Sequence, residues 1–433
     1  MRRHTRVAFG AVVAVSAVLA AACGSDNKSS SGATTTAAAG GAASSAAGGA
    51  ATSASQSKYP PIPAGPIVFG VSTPLTGAQA AFGTTTEKAF TNVTLKAFNA
   101  AHPNGIDGHP VKIEVKDDAS DVTQAVNVAN QFVSEKVAAM ITMSTNPAAT
   151  PQQIAIFNKN KVPMFSSRGD KDFTDTSKWP YFFGIGASNP QEEEVTAKWI
   201  AAHPEIKTIG VLTDNTPSTT EILNGITDQL KTVAPSVKIA PTVAVAPGAV
   251  DVSTQIAQLK SANPDLLYVN LGYAYGPVWQ AIKTANGNPK ILTSAGAWYD
   301  GFDAMSGLAD NAVAYYVTCQ KQDHPPFTKE LTDLMDGYAT VFGTSSTNYL
   351  TFVSNDSAPL ELFAAAAEKI HSIDPDAIKA TIESAGPQGL YGGTLTYNYT
   401  PTNHFGITGD AGAAACHMNM FTDPTYRIPI IAT

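Results

Sequence analysis

The sequence predicts an α/β protein with mostly parallel sheets, divided into two domains. Short apolar runs bounded by turn residues alternate with segments of helical periodicity, and this alternation favours parallel strands joined by right-handed crossovers. The first 65 residues differ in composition from the rest. Without them the chain keeps roughly 370 residues, which suit two domains better than one core.

The amino-terminal segment predicts an export signal followed by a tether. Arg2, Arg3 and Arg6 precede an apolar run over 7–22, which is shorter than the ~20 residues of a typical membrane span. Residues 20–24, Ala-Ala-Ala-Cys-Gly, resemble a bacterial lipobox. We therefore expect residues 1–22 to be a lipoprotein signal peptide and Cys23 to be lipidated; plain cleavage, giving a soluble secreted protein, is the alternative.

Residues 23–65 consist largely of Ser, Gly, Ala and Thr. Such a segment has little apolar bulk to bury and predicts a disordered tether. A lipid anchor with a polar tether suits a protein that works at the outer face of the cell membrane.

Charge and cysteine content limit which partners, disulfides and metal sites the chain is expected to have. The net charge is −8 and no basic run is present, which argues against a nucleic-acid partner. Export permits disulfides, so we expect a bridge between Cys319 and Cys416. Two free thiols are the alternative. A metal site including His417 lacks paired ligand spacing, and we expect no metal and no cofactor.

The chain order predicts a ligand site at the carboxyl ends of the strands. The stretch 66–77, PIVFGVSTPLTG, reads as a buried strand running into a Pro/Gly turn. In an open α/β sheet, ligands bind beyond the carboxyl ends of the strands. Further strands are predicted at 111–115, 138–143, 162–165, 208–212, 239–245, 266–269 and 291–294, with helices over 78–101, 121–133, 148–160, 190–202 and 251–262.

Four fragments in this order resemble the branched-chain amino-acid (LivJ-like) substrate-binding proteins of ABC importers, which are type I periplasmic binding proteins. The fragments are VSTPLTG from Val71, GIDGHPVKIEVKDDASD from Gly105, DVSTQIAQLKSANPDLLYV from Asp251, and the strands and helices that follow. The resemblance covers about 66–395.

The resemblance implies two Rossmann-like lobes joined by a hinge of three crossings, which we place near 186–189, 317–323 and 385–391. The N-terminal lobe would then comprise 66–187 plus 322–387, and the C-terminal lobe 188–321 plus 388–433. It also implies capture of a small molecule between the lobes by hinge closure, delivery to a membrane ABC permease, and no catalysis.

Candidate ligand-binding residues follow from position at strand ends within this architecture. In the first lobe they are Thr76, Phe82, Ser144, Thr145, Asn146, Arg168, Gly169 and Asp170. In the second lobe they are Asp214, Asn215, Tyr273, Tyr275, Trp298 and Tyr299. Phe82 has a core alternative, Arg168 and Asp170 have a mutual ion pair as theirs, and Tyr275 and Trp298 have packing on the hinge.

The turn after the fourth strand departs from the family pattern, because Gly169 and Asp170 stand where Ala and Thr are usual. Residues 295–297 offer no acid where the family places one for an ammonium group. Arg168 would suit a carboxylate, so the hypothesis is an amino-acid-like ligand or an aromatic or other small organic acid.

Two other functions compete. An enzyme is disfavoured, since the chain has no G-x-S-x-G elbow, H-E-x-x-H motif or paired metal-ligand spacing. A ligand-sensing lipoprotein of the same fold, not coupled to transport, is the alternative within the family. We expect a monomer.

Overall fold

The first part of the chain forms a five-stranded parallel sheet with strand order β2-β1-β3-β4-β5. In the computed structural model of the protein, the described residues are 58–77, 79–143, 146, 148–246, 249–272, 275–287, 289–294, 312–318, 327–342, 353–408, 417–420 and 430–431. The strands are β1 (Ile67–Thr73), β2 (Val111–Asp117), β3 (Ala139–Thr142), β4 (Met164–Ser166) and β5 (Phe182–Gly184).

The predicted leading strand is the centre of this sheet. β1 pairs in parallel with β2 on one side and with β3 on the other. Six of its seven residues are buried, as expected for a strand covered on both faces. Helices α1 (Ala80–Ala89), α2 (Leu95–Ala101), α3 (Val122–Glu135) and α4 (Thr150–Lys159) connect the strands.

Local sequence explains where these helices begin and end. Asp121 caps α3 by accepting a hydrogen bond from the Gln124 backbone N–H at 2.8 Å, as its position predicts. Lys136 ends α3 in a left-handed conformation. The single helix predicted over 78–101 is interrupted by a π-helical turn, Phe90–Thr94, whose Thr94 hydroxyl lies 2.7 Å from the Tyr338 hydroxyl.

The middle of the chain forms a seven-stranded sheet with order β15-β14-β10-β9-β8-β6-β7. The strands are β6 (Thr208–Thr213), β7 (Lys238–Ala244), β8 (Leu266–Asn270), β9 (Ile291–Ser294), β10 (Ala312–Thr318), β14 (His417–Met420) and β15 (Ile430–Ile431). The pairings among β6 to β10 are parallel, whereas β14 pairs antiparallel with β10 and β15 antiparallel with β14.

Two clusters of buried apolar side chains form the core of this body, next to its sheet. One cluster centres on Trp279 and Tyr275, and the other on Trp199 and Ile226. The helices are α5 (Asn189–Ala201), α6 (Pro217–Val233), α7 (Ser253–Ala262) and α8 (Tyr275–Thr284). The sequence analysis did not predict α6 and α8.

The chain then returns to the first body. Helices α9 (Lys329–Phe342), α10 (Ala358–Ile370) and α11 (Pro375–Ser384) are followed by a three-stranded sheet, β11 (Gln388–Leu390), β12 (Leu395–Tyr397) and β13 (Ile407–Thr408). Residues of α9, α10 and α11 pack in the same core as Phe69 of β1. This α/β architecture with parallel sheets in two bodies confirms the predicted fold class.

The structure differs from the expected boundary at residue 388. Leu395, Tyr397 and Tyr399 pack in the core of the five-stranded sheet, although the sequence analysis assigned 388–433 to the second lobe. Buried His404 explains part of this placement: its Nδ1 donates to the Phe182 carbonyl at 2.8 Å and its Nε2 lies 2.8 Å from Glu383 Oε1.

The assignment of each element to one of the two bodies shows where the chain passes from one body to the other, which it does three times. The first passage lies between β5 and α5, and the chain changes body again between β10 and α9, where residues 319–326 lie outside the described ones. At Ile407 the chain still packs in the core of the first body, so the third crossing does not lie at 385–391 as predicted. The other lobe boundaries stay a prediction.

Candidate ligand-binding site

The candidate first-lobe residues follow the carboxyl ends of β1, β3 and β4. Because these strands are parallel, their carboxyl ends share one edge of the sheet, where ligands bind in open α/β sheets. The second-lobe candidates follow β6, β8 and β9, which are also mutually parallel. Each body therefore presents one edge of turns with polar side chains.

Thr76, in the turn after β1, is held by Asp117 at the end of β2. The Thr76 hydroxyl donates to Asp117 Oδ2 at 2.6 Å, and its backbone N–H donates to Oδ1 at 3.1 Å. Burial would raise the pKa of Asp117, but hydrogen bonds from Thr76 and Ala119 hold that pKa below its ordinary value. Asp117 thus orders the turn. Phe82, on α1, is 38% exposed, so it is not a core residue.

Asn146 shapes the turn before α4. Its Nδ2 donates to the Ser120 carbonyl at 2.9 Å, and its Oδ1 accepts from the Ala148 backbone N–H at 2.9 Å. The amide therefore joins the β3 turn to the turn before α3. The neighbouring candidates Ser144 and Thr145 lie outside the described residues.

Arg168 and Asp170, in the turn after β4, form a bidentate ion pair. Arg168 Nε donates to Asp170 Oδ2 and Nη2 donates to Oδ1, both at 3.0 Å. Both side chains are partly exposed. The mutual pairing was the alternative that the sequence left open for these residues. It neutralises the guanidinium that was expected to bind a ligand carboxylate.

Gly169, between them, lies against the first passage between the bodies. Its carbonyl accepts from the Asn189 backbone N–H at 2.6 Å. A Cβ on Gly169 would meet the Ala187 carbonyl oxygen at 2.8 Å and the Asn189 nitrogen at 2.9 Å. Glycine is therefore required by the close approach of two backbones.

Asp214, at the end of β6, is 3% exposed and organises the second-lobe turns. Its Oδ2 accepts from the Gly272 backbone N–H at 2.7 Å, and its Oδ1 accepts from the Thr219 hydroxyl at 2.9 Å. The carboxylate thus joins the ends of β6 and β8 to the start of α6. Asn215 follows in a left-handed conformation with φ 54° and is exposed.

Tyr275 lies in the core of the second body with 2% exposure. Its hydroxyl donates to the Leu271 carbonyl at 2.8 Å, and its ring stacks on Trp279 at 5.7 Å between centroids. In this structure the side chain therefore supports the turn after β8 and presents no surface to a ligand. Tyr273, Trp298 and Tyr299 lie outside the described residues, as do Cys23, Cys319 and Cys416.

An acidic run, residues 192–194, lies near the start of α5. Burial raises the pKa of Glu192 to about 7, and the negative charges of Glu193 and Asp170 add to the effect. Burial also raises the pKa of Glu193 to about 7, with the Glu221 carboxylate adding to it. Only Glu194 is an ordinary surface residue, paired with Lys198.

These carboxylates lie where α5 leaves the first passage and packs on α6. A Cβ on Gly225 of α6 would overlap the Glu193 carboxylate. No hydrogen bond joins the Glu193 side chain to another described residue. Gly225, four residues after Glu221, is the sequence feature that permits this close helix contact. It could be recognised as such only if α6 had been predicted.

The turns at these two sheet edges carry the polar groups described above. The arrangement offers backbone groups, hydroxyls and carboxylates, which orient small ligands. Within the described stretches, no three or more His, Cys, Asp or Glu side chains are grouped to hold a metal ion. None of the helices in those stretches combines the length and apolar character needed to cross a membrane.

Comparison with known proteins agrees with this architecture. The family model described as periplasmic binding protein matches residues 66–409. The Leu/Ile/Val-binding protein homolog 3 of Brucella melitensis biotype 1 is 25% identical over 339 residues, which cover 77% of this chain and 88% of that protein.

Solved structures show the same fold at lower identity. The branched-chain amino acid transporter substrate binding protein LivJ from Streptococcus pneumoniae, in complex with isoleucine, superposes with a TM-score of 0.63 at 18% identity, over 84% of this chain and 99% of that one. A periplasmic binding protein type 1 from Bordetella pertussis Tohama I gives 0.65 at 18% identity, with the same coverage. The family binds small molecules outside the cytoplasm, and by the match over 66–409 this chain belongs to the periplasmic binding protein family.

Proposed function

We propose that the protein is the substrate-binding component of an ABC importer and that it captures an amino-acid-like ligand between its two bodies. The edge of turns on each body supplies the contacts, and the three passages supply the hinge. Closure around a ligand follows when the closed state makes contacts to the ligand on both sides. The membrane permease is the proposed receiving partner.

The Arg168–Asp170 pair is the observation that supports the ligand class proposed here. A guanidinium already bound to a carboxylate has little net attraction for a second one, because the pair is neutral overall. Glu192, whose pKa is raised to about 7, adds negative charge near Asp170 as the pH rises past that value. These charges favour a ligand that carries an ammonium group and disfavour a simple organic acid, which was the other half of the sequence-based hypothesis.

A calorimetric panel on the purified protein tests the function and the ligand class together. We expect binding of at least one of L-leucine, L-isoleucine, L-valine and L-phenylalanine. We expect much weaker binding of the matched 2-oxo acids, which lack the ammonium group. An organic acid that binds as tightly as its amino-acid counterpart would contradict the assignment. Conversion of any bound ligand would indicate an enzyme.

Two covalent features complete the proposal. Lipidation of Cys23 would hold the protein at the membrane through the 23–65 tether, which is supported by the basic start, the apolar run and the lipobox-like sequence. One acyl chain anchors only marginally, so the proposal requires more than one. A Cys319–Cys416 bridge is supported by the strand register discussed below. We also propose that the protein acts as a monomer.

A further inference from the structure

Glu221, on the second turn of α6, joins the two bodies through hydrogen bonds. Its Oε1 accepts from the Lys171 backbone N–H at 2.8 Å and from Asn189 Nδ2 at 2.9 Å. Lys171 belongs to the first body, immediately after the β4 turn, whereas α6 belongs to the second. Asn189 begins α5 at the end of the first passage between them. Glu221 Oε1, an atom of the second body, thus accepts one hydrogen bond from the first body and one from the hinge.

The turn that Glu221 contacts is the one that carries Arg168, Gly169 and Asp170. This turn is attached to the hinge at a second point, where the Gly169 carbonyl accepts from the Asn189 backbone N–H at 2.6 Å. Asn189 therefore touches the turn through its backbone and Glu221 through its side chain. A displacement of the turn would strain both contacts.

The charge of the acceptor bears on the strength of these hydrogen bonds. Hydrogen bonds to an ionised acceptor are roughly twice as strong as neutral ones. Glu193 on α5, a buried carboxyl without a hydrogen bond to another described residue, lies near Glu221, and the Glu221 carboxylate adds to the rise in the pKa of Glu193 that burial causes. Lys171 on the first body lowers the pKa of Glu193, and Asp228 on α6 raises it. Separation of the bodies would remove the Lys171 donor from Glu221.

We propose that Glu221 is a positioning residue that couples the β4 turn to the second body, so that a ligand which orders this turn also favours the closed arrangement. This inference rests on the proposed function for its biological meaning. The coupling itself is a property of the ligand-free chain. The alternative is a local contact that orders the Lys171 amide and has no effect on how the bodies are arranged.

Amide hydrogen exchange and small-angle scattering of the ligand-free protein test the coupling. Glu221→Ala removes the acceptor, Glu221→Gln keeps an Oε1 acceptor without the charge, and Glu194→Ala is the control on an exposed carboxylate of α5. We expect exchange at the Lys171 amide to be at least tenfold faster in Glu221→Ala, intermediate in Glu221→Gln and unchanged in Glu194→Ala. Exchange at Phe69, in the core of the first body, should not change.

We also expect a larger radius of gyration for Glu221→Ala, with partial recovery in Glu221→Gln. Unchanged exchange at Lys171 would overturn the proposal. Faster exchange with an unchanged scattering curve would overturn it as well, because the contact would then be local. Both measurements omit ligand, so a failure here is separate from a failure of the calorimetric panel.

Discussion

Glu193 shows at the scale of one residue how burial changes charge. It is 9% exposed, it packs against the Gly225 position of α6, and Glu221 lies close by. These surroundings raise its pKa from 4.5 to about 7. The unfolded chain releases the proton at lower pH than the folded chain, so the contribution of this group to stability is greatest below pH 4.5 and is lost as the pH rises to about 7.

Replacing this carboxyl should therefore stabilise the protein at alkaline pH. We expect Glu193→Gln to raise the free energy of unfolding at pH 8 by about 1–3 kcal/mol and to leave it nearly unchanged at pH 4.5. Chemical denaturation at the two pH values measures the difference, with Glu194→Gln as the matched exposed control. An equal effect of both substitutions, or no dependence on pH, would refute the assignment.

Individual site residues were only partly predictable. Asp121 lies immediately before an apolar helical pattern in the sequence, and in the structure it caps α3. The partners of Arg168 could not be chosen from sequence, because the same turn permits a ligand carboxylate or Asp170. Tyr275 resembles a ligand-facing aromatic in sequence, but α8 begins at this residue and turns its side chain into the core.

At the scale of elements, the register of β10 and β14 bears on the cysteine pair. Tyr316 pairs with Asn419, Val317 with Met418, and Thr318 with His417. In an antiparallel ladder the next pair in this register would be residues 319 and 416, which are the two cysteines. Opposed residues have Cβ atoms about 4.5–5.5 Å apart, and closer in non-hydrogen-bonded pairs, which approaches what a disulfide needs.

Peptide mapping of protein purified from the cell envelope tests both covalent proposals. Without reductant we expect a linked peptide containing Cys319 and Cys416, and an acylated amino-terminal peptide that begins at Cys23. Two alkylatable thiols at 319 and 416 would contradict the bridge. An unmodified amino terminus downstream of Cys23 would contradict the anchor.

Helices with a strong apolar periodicity and strands that are buried on both faces were predictable from the sequence. β1, β8 and α3 match their sequence patterns to within one or two residues. The helix α6, Pro217–Val233, was missed, although Ile222, Ile226 and Leu230 follow a helical spacing on its buried face. Its first residues, Pro-Ser-Thr-Thr, are also typical of turns. Because α6 was not predicted, Glu221 was not recognised either.

At the scale of the whole molecule, alternation of strands and helices predicted parallel sheets, and chain length predicted two bodies. Sequence could not locate the third passage, because the 395–407 stretch has strand-like residues that either sheet could accept. Contacts distant in sequence decide its place: the Tyr399 hydroxyl donates to the Gly184 carbonyl at 3.1 Å, and His404 is buried beside Glu383 and Phe182.

We expect the two bodies to close on a small molecule without changing it. Small-angle scattering of the full mature chain, with and without whichever of L-leucine, L-isoleucine, L-valine or L-phenylalanine binds in calorimetry, measures this closure. The expected result is a smaller radius of gyration at saturation, with recovery of the unchanged ligand afterwards. Saturated binding with an unchanged scattering curve would rule out closure.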